Sequence, residues 1–88
     1  RLHRQRTDRV WLRDSGPTGV YDASGALTWV HWGFNAWAKY DNYDDDVHVG
    51  ELVARVTGRP RITPARPDTG ARLILEGGGI ETDGLGTM

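Results

Sequence analysis

Asp14 is the residue whose type and setting most suggest chemistry. It stands in Val10-Trp11-Leu12-Arg13-Asp14-Ser15-Gly16-Pro17, where an apolar run meets a carboxylate and then a Gly-Pro turn. An ionised carboxylate only accepts hydrogen bonds, and it can hold a planar guanidinium through two parallel N–H···O bonds. Trp11, three residues earlier, offers an aromatic face that attracts a cation by about 0.5–2 kcal/mol. Together they suit a planar, cationic ligand. The competing reading is that Asp14 pairs with Arg13 or caps the Ser15-Gly16 turn while Trp11 is core.

Glu76-Gly77-Gly78-Gly79 is the second candidate. Three glycines allow close approach of backbone to backbone or ligand, and Glu76 could bind ligand or brace the turn. No Lys or Ser/Thr follows at the spacing of a phosphate-binding loop. Asp44-Asp45-Asp46, with Asp41 and His48 nearby, lacks the spacing and glycine of a calcium loop. The acids are expected to cap the start of a helix and suit its dipole, and no metal site is expected. His3 and His31 show no partner pattern and are expected at the surface or in the core.

The elements that must position these residues can be read from pattern. Arg9–Arg13 is expected to be a short strand, ended by the turn that Pro17 fixes. Thr18–Tyr21 and Leu27–Trp32 read as a hairpin around the turn residues Asp22-Ala23-Ser24-Gly25. Residues 33–43 read as an aromatic, polar loop. Val49, Leu52, Val53 and Val56 form one helical stripe, stopped by Gly58 and Pro60. Arg72–Leu75 is expected as a buried strand and Ile80–Asp83 as another, before a turn at Gly84–Gly86. The order is β, ββ, α, β, β, an α/β class.

Bulk properties set limits. The 88 residues carry 11 Lys and Arg against 12 Asp and Glu. That balance points away from nucleic acid and membrane surfaces, and no apolar run reaches the ~18 residues of a membrane span. There is no cysteine, so the chain has no thiol nucleophile of its own. Residues 1–8 read as a polar lead-in. The absence of an initiating Met suggests a piece of a longer polypeptide.

Taken together, WLRDSGPT after Asp8-Arg9, then FNAWAKY, then acids leading into a helix, then LILEGGGIETDGLGT resemble the N-terminal part of the agmatine deiminase and Porphyromonas-type peptidylarginine deiminase family. The resemblance implies a pentein (α/β propeller) fold, of which residues 1–88 would supply about one ββαβ module with flanking strands. It implies that Asp14 grips the substrate guanidinium, that Trp11 walls the channel and that Glu76 lines it. Gly16, Pro17, Gly77 and Gly78 would be architectural. In the family a cysteine thiolate attacks the guanidinium carbon, ammonia leaves, and a His-activated water hydrolyses the thiouronium adduct. The family's Cys and its G-H-x-D histidine motif fall outside these residues, so the chain alone is expected to be inactive. Ala38 stands where the family commonly has glycine.

The resemblance implies agmatine as substrate, N-carbamoylputrescine and ammonia as products in polyamine synthesis, and no cofactor. Peptidylarginine or free arginine is the alternative substrate. A non-catalytic, Trp-rich β module is the reading from another class. The rest of a parent chain is the expected partner, with room for a homo-oligomer, and a cytoplasmic location is the expectation.

Overall fold

The computed structural model describes all 88 residues. Its frame is a three-stranded sheet in the order β1 (Thr18–Tyr21), β2 (Leu27–Val30), β3 (Arg61–Ile62). β1 and β2 form the expected antiparallel hairpin, with Thr18 opposite Val30 and Tyr21 opposite Leu27. The Asp22 side chain closes the turn by accepting from the N–H groups of Ser24 and Ala26 and from the Ser24 hydroxyl. Those donors, the hydroxyl first, hold its carboxyl below the usual range. β3 runs parallel to β2, which demands a long crossover.

That crossover carries the expected helix, α2 (Val49–Thr57). Val49, Leu52 and Val53 of its stripe turn inward while Val56 stays exposed, and Gly58, in the left-handed conformation (φ 63°), closes its C-terminus. The cap residue is His48, whose side chain does not cap the helix backbone, and the turn before it (Asp46–His48) is 3₁₀. The acidic run therefore does not cap the helix as expected. Asp46 turns inward instead, toward the start of the chain.

Three further expectations are corrected. Arg9–Arg13 is not a strand: the chain bends at Val10 and forms a one-turn helix, α1 (Leu12–Ser15). No neighbouring strand offers a ladder there, and the run's apolar side chains stay exposed. Arg72–Leu75 is not a buried strand. It is extended and makes single bridges, Arg72 to Ala65 and Ile74 to Gly33, while Leu73 and Ile74 remain exposed. Ile80–Asp83 has no regular structure, and a 3₁₀ turn at Gly77–Gly79 precedes it.

The apolar core is small: Val30, Phe34, Ala36 and Val49. The largest fully buried side chains are polar, His31 and Asp46. The accessible surface is 6507 Å² for 9.8 kDa, about a quarter above the ~5,200 Å² typical of a folded monomer of that mass. Large apolar faces are therefore left uncovered. No helix is long and apolar enough to cross a membrane.

Candidate active site

The α1 turn is built on one carbonyl. The Trp11 oxygen accepts from the N–H groups of Asp14 (3.1 Å) and Ser15 (3.3 Å) and from the Ser15 hydroxyl (3.4 Å). Ser15 is buried, so the turn is pinned from inside. Gly16 then leaves the helix in an extended conformation, its N–H on the Leu12 oxygen at 2.8 Å. A Cβ at Gly16 would lie 2.4 Å from that same oxygen, a distance no side chain tolerates. Pro17 follows and leads straight into β1.

The glycine turn packs against α1. A Cβ on Gly77 would meet the Arg13 carbonyl oxygen at 2.4 Å, and one on Gly78 would come within 3.4 Å of Asp14 Oδ1. Glycine is required at Gly77 by this close approach. The fold thus brings WLRD and EGGG together, although some sixty residues separate them in sequence.

Asp14 is half-buried beside this glycine floor, and Glu76 enters it half-buried in an extended conformation. Neither carboxylate makes a hydrogen bond or an ion pair; the ion pairs of the chain involve other acids. Asp14 does not pair with Arg13, nor does its side chain cap the Ser15–Gly16 turn. Trp11 is 61% exposed and so is not core. The two surface cavities, of about 470 and 390 Å³, lie elsewhere: one between β1 and the C-terminal tail, one between the lead-in and α2.

Two polar nodes escaped the sequence. In the first, Asp46 Oδ1 accepts the backbone N–H groups of Asp8 (2.8 Å) and Arg9 (3.1 Å), and Oδ2 pairs with Arg9 Nη1 at 3.2 Å. Asp8 answers by accepting the Asp45 N–H at 3.0 Å. The Arg9 guanidinium also donates to the carbonyl and side-chain oxygens of Asn42, and it lies 4.7 Å from the Tyr40 ring centroid and 5.8 Å from that of Trp37. With Asp46 oxygens taken by N–H donors, the acidic run is a structural anchor. The polar lead-in is therefore tied down at its end. Only the Asp-Arg pair and the acidic run, 37 residues apart, could have signalled this.

In the second node, the buried His31 ring is fixed in one tautomer. Nε2 faces the Val47 carbonyl at 3.0 Å and must donate; Nδ1 faces Arg61 Nη1 at 3.0 Å and must accept. Burial, then the charges of Arg72 and Arg61, hold its pKa below the usual 6.5. Gly50 makes the room, since a Cβ there would sit 2.3 Å from the ring. His31 is a core histidine.

A family model for Porphyromonas-type peptidyl-arginine deiminases matches residues 1–88. The chain belongs to that family. It is 38% identical to the agmatine deiminase of Pseudomonas fluorescens strain Pf-5 over 84 residues and 37% identical to that of Pseudomonas aeruginosa strain LESB58 over 87 residues, with 93% of this chain covered in each case. An X-ray structure described as a candidate agmatine deiminase superimposes with a TM-score of 0.65 at 28% identity, over 88% of this chain. The chain spans 22% of the length of each of these proteins. Its α/β fold is thus one part of the larger pentein architecture of this deiminase family.

Proposed function

We propose that these residues form the guanidinium-gripping part of an agmatine deiminase. The observation that carries the reading is Asp14: a half-buried carboxylate with no partner, set against a glycine floor, in a chain similar to agmatine deiminases. No buried side-chain N or O in this small fold lacks a partner. A carboxylate held open in this way is suited to a cation that arrives with the substrate.

In this reading Asp14 takes two N–H groups of the agmatine guanidinium and holds its central carbon in line for attack. Trp11 supplies an aromatic wall, and Glu76 faces the same space from the glycine turn. A cysteine thiolate from outside these residues adds to the carbon, and ammonia leaves once its nitrogen is protonated. Water activated by a histidine, also from outside, then adds to the thiouronium carbon. Expulsion of the thiolate gives N-carbamoylputrescine. Net, agmatine and water yield N-carbamoylputrescine and ammonia. Asp14 contributes positioning and charge stabilisation. The 88 residues alone lack a thiol and are expected to be inactive. The uncovered Val10, Trp11, Leu12, Leu73 and Ile74 are expected to pack on the rest of a deiminase-length protein.

The Trp-rich binding module is less well supported. The indole N–H groups of Trp29 and Trp32 are committed to Thr57 and Thr18, and Trp37 packs edge-on against Phe34 and Tyr40. The rings of Trp37 and Tyr40 already hold the Arg9 guanidinium. The test is to supply agmatine, free arginine and a peptidyl-arginine substrate in turn to the complete polypeptide that carries these residues. Ammonia with N-carbamoylputrescine from agmatine is expected. Citrulline formation alone would move the assignment to arginine, and no release of ammonia from any of them would overturn it.

A further inference from the structure

We infer that Arg9 and Asp46 are positioning residues for the guanidinium site, acting on Trp11 and Asp14 through the α1 turn. The inference rests on the deiminase reading above for its catalytic consequence, but its structural part stands separately.

Asp14 must be held at a fixed place if it is to orient a guanidinium. The C-terminal end of α1 is held by buried Ser15, by Gly16 against Leu12 and by the glycine turn beneath Arg13. The N-terminal end has no comparable packing. Val10, Trp11 and Leu12 are 80%, 61% and 58% exposed, so burial does not fix them. The nearest fixed point upstream is Arg9, one residue before Val10. Both backbone N–H groups at residues 8 and 9 end on one oxygen of Asp46, which is fully buried, and the Arg9 guanidinium closes on the other oxygen.

Arg9 is itself held by Asn42 and by the rings of Tyr40 and Trp37. Those rings belong to FNAWAKY, the stretch that the proposed chemistry leaves without a role. Trp37 reaches Arg9 from an unusual turn: Ala36, Trp37 and Ala38 all have positive φ (50°, 60° and 54°). Non-glycine residues there cost about 1–2 kcal/mol each. The Asn35 side chain, accepting the Ala38 N–H at 3.1 Å, helps hold the turn. The turn, Arg9 and Asp46 therefore form one clamp whose output is the entry of the chain into α1.

The geometry needs arginine. A guanidinium can reach Asp46, both Asn42 oxygens and two ring faces at once, whereas an ammonium is a point charge. The decisive variants are Arg9→Lys and Asp46→Asn in the complete polypeptide. The readouts are kcat and KM for agmatine together with backbone hydrogen exchange. Each variant is expected to lower kcat/KM at least 10-fold, since a displacement near 1 Å can cost about 10²-fold. Exchange should quicken at the amides of Asp14, Ser15 and Gly16 while those of α2 stay protected. Asp22→Ala, at the far turn of the β1–β2 hairpin, serves as the control: it is expected to lower the melting temperature without changing kcat/KM.

An Arg9→Lys protein with unchanged kcat/KM and unchanged exchange at α1 would overturn the inference. So would slower turnover with a uniform rise in exchange across the chain, which is what a merely structural role gives. If Asp46→Asn does not fold, Arg9→Lys decides alone. If the wild-type polypeptide releases ammonia from none of the three substrates, the deiminase reading fails, and exchange at α1 still decides the clamp.

Discussion

The α1–glycine face and the Arg9–Asp46 node use the same kinds of side chain in opposite ways. At the node, Asp46 is fully buried, both of its oxygens are occupied, and its arginine is boxed in by an amide and two rings. On the α1 face, Asp14 and Glu76 are half-buried and have no partner, beside Gly77, which admits no side chain. A burial penalty explains the first arrangement, because an unpaired buried carboxylate is costly. The second makes sense where a partner arrives from outside. The contrast separates acids that hold this fold from acids left without a partner inside it, which neither composition nor local sequence can do.

The comparison can be broken first at the node. Asp46→Ala leaves Arg9 without its carboxylate partner and strips two backbone N–H groups of their acceptor. Breaking such a buried pair costs about 3–5 kcal/mol, to be read from denaturant unfolding of the complete polypeptide. A loss below about 1 kcal/mol would reduce the node to an ordinary surface pair.

Gly50→Ala comes next. Its Cβ would sit 2.3 Å from the His31 ring, and overpacking of this kind costs about 1–3 kcal/mol. The same pocket gives a pH dependence. His31 is held neutral, below its usual 6.5, by burial and by Arg72 and Arg61. As pH falls, the unfolded chain takes up this proton first. The stability from His31 is therefore complete above about pH 6.5 and is lost progressively as pH drops from there through the lowered folded value. Unfolding measured between pH 8 and pH 5 should show that slope, and His31→Gln should flatten it.

The smallest expected effect runs the other way. Ala38→Gly relieves a positive φ of 54°, a strain of about 1–2 kcal/mol, offset in part by the added freedom of the unfolded chain. A net gain of about 0.5–1 kcal/mol is expected in the same unfolding assay. It would show that the left-handed turn next to Arg9 is strained as well as unusual.

Local features of the chain were legible. The hairpin follows from alternating residues around Asp22–Gly25, and α2 follows from its valine and leucine stripe with Gly58 as the stop. Asp14 could be picked out as a candidate because a carboxylate at the end of an apolar run can hold a planar guanidinium. Long-range partners were not legible. The run 9–13 looks like a strand because its apolar residues suggest burial, yet they stay exposed and the chain turns on the Trp11 carbonyl. Arg72–Leu75 looks buried for the same reason, but among these residues it has only single bridges to either side. Asp46 looks like a helix cap because its true partners, Asp8 and Arg9, lie 38 and 37 residues earlier. In a fold with so small an apolar core, such distant polar contacts decide the local geometry, and they leave no periodic trace in sequence.

The most direct test is the steady-state kinetics of agmatine hydrolysis by the complete polypeptide and its Asp14→Asn variant, with thermal unfolding of both. If Asp14 is kept open for the guanidinium, kcat/KM falls by about 10²–10³-fold while the melting temperature is unchanged or rises. Unchanged kinetics, or a loss of activity that follows a fall in melting temperature, would contradict it and return Asp14 to a structural role.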